Sequence, residues 1–147
     1  MYARSAPVTK GLIQMHKLVA KILGIVIALL AVVGFFIEGE LLFGLMNVDL
    51  AMDIARTVLA IALLYVGFGP QRNEVARATV GVVGGVYVVM AVVTFIDPTH
   101  FGLLNTEFTG FDIGFHLIVG AAAIILAFLP SRTLDPDRPE TTVDPRA

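Results

Sequence analysis

The feature that most constrains this chain is a set of four long apolar stretches that carry almost no charge. They cover residues 18–37, 54–69, 78–96 and 113–129. A membrane hydrocarbon core of about 30 Å needs about 20 apolar residues in a helix, so the second and fourth stretches should extend toward their N-terminal sides. Continuous runs of this length favour helices over strands, because a helix satisfies its own backbone hydrogen bonds in lipid. The sequence therefore predicts an all-α, polytopic membrane four-helix bundle.

The composition excludes several other classes of protein. Hydrophobic residues make up 57% of the 147 residues and charged residues only 15%, whereas a soluble domain has about 25% charged residues. The net charge of −2 gives no reason to expect a nucleic-acid partner, and the absence of cysteine excludes thiol catalysis, disulfides and thiolate metal sites. We expect the lipid bilayer to be the main surroundings of this protein.

The basic residues predict how the helices are oriented. Nine of the ten lie in the N-terminal segment, in the loop between the second and third stretches, and in the C-terminal tail: Arg4, Lys10, Lys17, Lys21, Arg72, Arg77, Arg132, Arg138 and Arg146. Arg56 alone lies on the other side. Because cytoplasmic segments are enriched in Lys and Arg, both termini are predicted to be cytoplasmic. We expect a cytoplasmic segment at 1–17, a transmembrane domain at 18–130, and a disordered cytoplasmic tail at 131–147, which is rich in proline and charge.

The two halves of the chain resemble each other. Residues 31–38 resemble 91–97, and residues 43–47 resemble 101–105, at a spacing of 58 to 60 residues. Spans in both halves run in the same direction, which predicts two parallel helical-hairpin repeats related by a pseudo-twofold axis along the membrane normal. The repeats are placed at 18–69 and 78–130.

One sequence pattern resembles a known family. Phe101-Gly-Leu-Leu-Asn105, followed by Asp112-x3-His116-x3-Gly120, is similar to an uncharacterised domain-of-unknown-function family of small four-helix membrane proteins from high-GC bacteria. The resemblance covers about residues 17–130 and implies the same fold and a bacterial cytoplasmic (inner) membrane location. Family members often carry a polar-x-x-His element in the first half as well, where this chain has Arg56 and no histidine. The resemblance implies no activity, cofactor or catalytic residue.

Four ionisable residues form a candidate polar cluster at the outer ends of the second and fourth helices: Asp53, Arg56, Asp112 and His116. Ionisable groups near membrane spans are functional candidates, and the spacing of Asp112 and His116 places both on one helix face. We expect paired charges that hold the hairpins together, with Arg56 neutralising Asp112 or Asp53. The alternative is a site for a metal ion, a proton or a lipid head group.

Other constellations that would carry chemistry are missing from the sequence. Arg56 disfavours a metal ion within the cluster, and His16 and His116 lie at opposite ends of the bundle, so they cannot share a haem iron. The middle of the spans has no ionisable residue, and Tyr87 is its most central polar side chain. We therefore predict no catalytic residue, no cofactor and no metal site.

Small residues predict where helices approach closely. Gly81-x3-Gly85 and Gly110-x3-Gly114 match the small-x3-small pattern of packed membrane helices. We expect these glycines to serve packing within the chain rather than dimerisation.

These features favour a non-enzymatic accessory, assembly or scaffold subunit of a membrane complex. It would act through an apolar outer rim rich in phenylalanine and through small-residue helix faces, with other membrane subunits or further copies of itself as partners. One alternative is an oligomeric small channel or permease, which the apolar midplane disfavours. The other is a membrane enzyme or redox module that uses Asp112 and His116, which the lack of a second metal or haem ligand disfavours.

Overall fold

Four helices account for most of the chain. The computed structural model describes residues 13–37, 41–103, 107–130 and 133–134. The helices are α1 (Met15–Phe36), α2 (Leu50–Phe68), α3 (Asn73–Ile96) and α4 (Gly110–Phe128). Four two-residue strands accompany them: β1 (Ile13–Gln14), β2 (Leu41–Leu42), β3 (Met46–Asn47) and β4 (Thr133–Leu134). The predicted all-α fold with four apolar helices is confirmed.

All four helices of the described residues have the length and hydropathy to cross a membrane. They contain 22, 19, 24 and 19 residues, which at about 1.5 Å per residue gives lengths of about 29–36 Å, comparable to the hydrocarbon core. Helices α2 and α4 begin at Leu50 and Gly110, so the second and fourth apolar stretches do extend toward their N-terminal sides. The structure suggests a multi-pass membrane protein.

The two ends of the bundle are closed by different small sheets. At the end that we call the connector end, which holds 41–49, 97–103 and 107–109, β2 pairs antiparallel with β3. At the opposite, terminal end, β1 pairs antiparallel with β4, so that the chain enters and leaves the bundle at the same end. The predicted disordered tail at 131–147 therefore includes a paired two-residue strand. Residues 1–12, 131–132 and 135–147 lie outside the described residues.

Each connector carries an exposed phenylalanine in its turn. Phe43 and Phe101 each precede a glycine, and both residues of each Phe-Gly pair adopt a positive φ, between 54° and 81°. Such a backbone is rare for aromatic residues, and the side chains of Phe43 and Phe101 are 90% and 77% exposed. This arrangement agrees with an apolar rim at the connector end.

Close packing within each hairpin depends on glycines. Helix α1 packs along α2, and α3 packs along α4, while α1 and α4 barely touch. A Cβ atom at Gly84 would lie 2.8 Å from the carbonyl oxygen of Gly120, and a Cβ atom at Gly120 would lie 2.8 Å from the carbonyl oxygen of Gly84. Only residues without a side chain allow these two backbones to approach so closely.

Most of the glycines that the sequence predicts to pack helices together do not lie at a contact between helices. A Cβ atom at Gly85, Gly110 or Gly114 would meet nothing within 4 Å, and one at Gly81 would meet only the Cβ of Ala127, at 3.3 Å. Helix geometry explains the difference, because a step of one residue rotates the side-chain direction by about 100°. Gly84 therefore faces α4 while Gly85 points away from it, so the prediction is wrong for Gly85, Gly110 and Gly114.

This packing predicts a sharp contrast between two adjacent glycines. Gly84→Ala should destabilise the protein, because the new methyl group meets backbone atoms of α4 that cannot move independently. Gly85→Ala should be neutral or stabilising by up to about 1 kcal/mol, since it enters open space and improves helix propensity. Unfolding by denaturing detergent, followed by circular dichroism, measures both variants. Equal stabilities would contradict the observed α3–α4 contact.

Candidate functional site

All four residues of the predicted polar cluster are buried at the connector end. Asp53 and Asp112 have no exposed surface, and His116 and Arg56 are 2% and 3% exposed. Asn47 and Asp49, which lie just before α2, are also buried. The cluster is therefore part of the packed interior rather than an open mouth.

Arg56 and Asp53 form a buried ion pair on the first two turns of α2. The Nη1 atom of Arg56 donates to Oδ1 of Asp53 at 2.7 Å. The facing residue of α1 is Gly34, where a Cβ atom would collide with the Asp53 carboxylate. Gly34 thus provides the space for the ion pair. The sequence analysis did not identify Gly34, because this glycine is not part of a Gly-x3-Gly motif.

The carboxylate of Asp112 joins two distant segments of the chain. It accepts the backbone N–H of Asn47 at 3.0 and 3.1 Å and the backbone N–H of Thr109 at 2.8 Å. Thr109 is the N-cap of α4, and with Asp112 it forms a capping box, which satisfies N–H groups that a helix start leaves free. Asp112 therefore caps its own helix and at the same time holds the end of the β2–β3 hairpin.

Further hydrogen bonds connect the same two segments. The side-chain amide of Asn47 donates to the carbonyl of Glu107 at 2.9 Å, and the hydroxyl of Thr109 donates to the carbonyl of Leu45 at 2.5 Å. The two connectors are therefore attached to each other at three points around Asp112. Sequence analysis missed Asn47 and Thr109, although a Thr-x-x-Asp spacing before an apolar helix is a recognisable capping signal.

His116 lies in an aromatic environment beneath this network. Its Nδ1 atom donates to the backbone carbonyl of Asp112 at 2.6 Å. Its ring centroid is 5.1 Å from that of Tyr87 on α3 and 5.5 Å from that of Phe108. The prediction that His116 and Asp112 share one helix face is confirmed, but the imidazole contacts the carbonyl because the carboxylate turns toward the free N–H groups at the helix start.

The expected pairing of Arg56 with one of the two aspartates is confirmed, but the pair does not join the two hairpins. We expected Arg56 to neutralise Asp112 or Asp53, and it pairs with Asp53 within its own helix. Asp112 instead receives backbone N–H groups, which can stabilise a carboxylate without a cation. The two halves of the chain are therefore connected at the cluster by hydrogen bonds to the backbone, and not by the ion pair.

The second connector has its own local hydrogen bonds. Nε2 of His100 lies 2.7 Å from the hydroxyl of Thr94, and its ring packs on Phe108 at 4.9 Å. Burial lowers the pKa of His100, which favours the neutral imidazole in this contact. Hydrogen bonds from the hydroxyl and the backbone N–H of Thr99 lower the pKa of Asp97. These contacts shape the turn that leads into α4.

The chemistry available to the cluster is charge pairing and hydrogen bonding. Across residues 13–37, 41–103, 107–130 and 133–134, no three histidine, aspartate or glutamate side chains come together as metal ligands. Both oxygens of Asp112 already accept N–H groups. This arrangement favours a structural role for Asp112.

No protein-family model matches the chain, and no curated protein or solved structure is significantly similar to it. The resemblance to a family of four-helix bacterial membrane proteins therefore stays a prediction.

The buried ion pair predicts a specific energetic coupling. Arg56→Gln should strand the Asp53 charge and cost up to about 3–5 kcal/mol, and Asp53→Asn in the same chain should restore part of this loss. A double-mutant cycle in detergent should give a coupling energy of about 0.5–3 kcal/mol for this pair. The matched cycle of Arg56→Gln with Asp112→Asn should give a clearly smaller value. A larger coupling to Asp112 would show that the ion pair connects the two halves after all.

Proposed function

We propose that this protein is a non-enzymatic, multi-pass membrane protein that serves as an accessory, assembly or scaffold subunit of a membrane complex. The observation that carries the proposal is that both carboxylate oxygens of Asp112 accept backbone N–H groups, those of Asn47 and Thr109. The other cluster residues are likewise engaged, Arg56 with Asp53 and His116 with a backbone carbonyl. Because these polar groups are occupied inside the bundle, we assign the function to the outer faces, which are apolar.

The proposal includes an architecture of two parallel hairpin repeats. Helices α2 and α4 begin and end 60 residues apart. Buried residues of the two hairpins recur at the same spacing of 60 residues. These pairs are His16 and Ala76, Ala20 and Val80, Gly24 and Gly84, Ile27 and Tyr87, Ala31 and Ala91, Gly34 and Thr94, Arg56 and His116, Ala60 and Gly120, Leu63 and Ala123, and Gly67 and Ala127. In this register, Asp112 corresponds to Met52. Arg56 and His116 would thus be equivalent residues that the two repeats use differently.

We further propose that both termini are cytoplasmic and that the membrane is a bacterial inner membrane. The basic residues support this orientation through the positive-inside rule, and the pairing of β1 with β4 supports termini on one side. The bacterial inner membrane follows from the family resemblance alone.

The orientation can be tested with single cysteines, because the chain has no native cysteine. Glu107→Cys is exposed at the connector end and should react with a membrane-impermeant thiol reagent in whole cells. Arg72→Cys, at an exposed position of the terminal end, should react only after lysis. The reverse pattern would place the connector end in the cytoplasm.

The scaffold proposal is tested by purification in a mild detergent, followed by native mass spectrometry. We expect the chain to co-purify with a defined membrane protein at fixed stoichiometry. The folded Asp112→Asn variant should still bind the same partner, because Asp112 serves the packing of the chain itself. A discrete homo-oligomer without other proteins would favour the channel or permease. A bound light-absorbing cofactor would favour the redox module and contradict the proposal.

A further inference from the structure

An apolar groove with a basic residue at its mouth lies at the terminal end, between α3 and α4. Its volume is about 420 Å³, and its walls include Arg77, Gly81, Val82, Ile124, Ala127 and Phe128. The groove lies along segments that have the length and hydropathy of membrane spans. Its walls are therefore suited to hydrocarbon.

The groove exists because glycine leaves its floor open. Gly81 approaches only the Cβ of Ala127, and Gly85, one turn further along α3, faces open space. The two glycines form a smooth strip on one face of the helix, which packing within the chain uses only at Gly81. This strip is the Gly-x3-Gly motif of the sequence.

The corresponding place in the first hairpin is filled. Lys21 lies 60 residues before Gly81, and its side chain covers the end of α2. A Cβ atom at Gly67 would lie 2.9 Å from Cγ of Lys21, and Nζ of Lys21 lies 4.9 Å from the centroid of the Phe68 ring. The first hairpin closes this place with its own lysine, and the second leaves it free.

Arg77 is held in position at the mouth of the groove. Its Nε atom donates to the carbonyl of Ala127 in the last turn of α4 at 2.6 Å. Its two terminal amino groups make no hydrogen bond or ion pair with the described residues. A guanidinium presents its donors in a rigid planar fork that fits a phosphate. Arg77 is therefore a fixed cation beside an apolar groove.

We propose that this groove binds one anionic phospholipid, with its phosphate on Arg77 and one acyl chain along Gly81 and Val82. The proposal requires that the bundle spans a membrane, but it does not depend on the scaffold function. Charge complementarity favours a lipid over a second copy of the chain. In a symmetric parallel dimer packed on Gly81 and Gly85, two Arg77 side chains would approach each other one turn from the crossing point, and like charges repel.

The test compares two lipids that differ only in the head group. The full chain in mild detergent is titrated with phosphatidylglycerol or with phosphatidylcholine of the same acyl chains, and native mass spectrometry counts the bound lipid. We expect one tight site that prefers phosphatidylglycerol by about fivefold or more, the effect of one basic residue near a head group. Arg77→Gln should abolish this preference. Gly81→Leu should weaken the first binding event for both lipids, because its side chain fills the groove.

Arg72→Gln is the matched control. Arg72 is a basic residue at the same end, with 83% of its side chain exposed and Glu74 as its ion-pair partner, so this variant should keep the lipid preference. Circular dichroism checks that each variant is folded, and gel filtration gives its oligomeric state. If Arg77→Gln does not fold, the lipid binding of Gly81→Leu tests the proposal alone. An unchanged preference in Arg77→Gln, or unchanged binding in Gly81→Leu, would overturn the proposal. A dimer that Gly81→Leu converts to a monomer would assign the groove to a second copy instead.

Discussion

The structure depends on one carboxylate that serves two segments at once. Asp112 accepts the N–H groups of Asn47 and Thr109, so it caps α4 and holds the β2–β3 hairpin against that helix. A buried N–H group that loses its acceptor costs about 1–3 kcal/mol, and Asp112 satisfies two. The bonds from Asn47 to Glu107 and from Thr109 to Leu45 follow from the same placement, because they form only when both connectors lie beside the start of α4.

Other polar groups of the bundle are also paired inside the protein, although Oδ2 of Asp53 is buried without a hydrogen-bond partner among the described residues. Arg56 pairs with Asp53 and His116 donates to a carbonyl of its own helix, because buried polar groups need hydrogen-bond partners. Association between membrane helices draws little from the hydrophobic effect, so close backbone contact matters more. Gly84 and Gly120 provide this contact in the second hairpin, and Gly34 makes room for the buried ion pair. The outer faces of the helices then remain apolar.

Much of the fold follows from patterns that are visible in the sequence. Four apolar runs predict four helices, because length and hydropathy suffice for that conclusion, and Asp53, Arg56, Asp112 and His116 do lie together in the interior. The partners of these residues could not be read in the same way. Whether Arg56 meets Asp53 or Asp112 depends on the direction of side chains across helices, and the role of Asn47 depends on a contact 65 residues away. Gly84 rather than Gly85 faces α4 because of helix rotation, which a motif of equally spaced glycines does not specify.

Amide hydrogen exchange at Asn47 tests the role of Asp112 most directly. In Asp112→Ala, the N–H groups of Asn47 and Thr109 lose their acceptor, so their protection should fall by about tenfold to a hundredfold. Asp97→Ala removes a carboxylate that accepts hydrogen bonds from within the second connector, chiefly from Thr99, and it should leave the protection of Asn47 unchanged. Equal protection of Asn47 in the wild type and in folded Asp112→Ala would contradict the claim that this carboxylate joins the two halves of the protein.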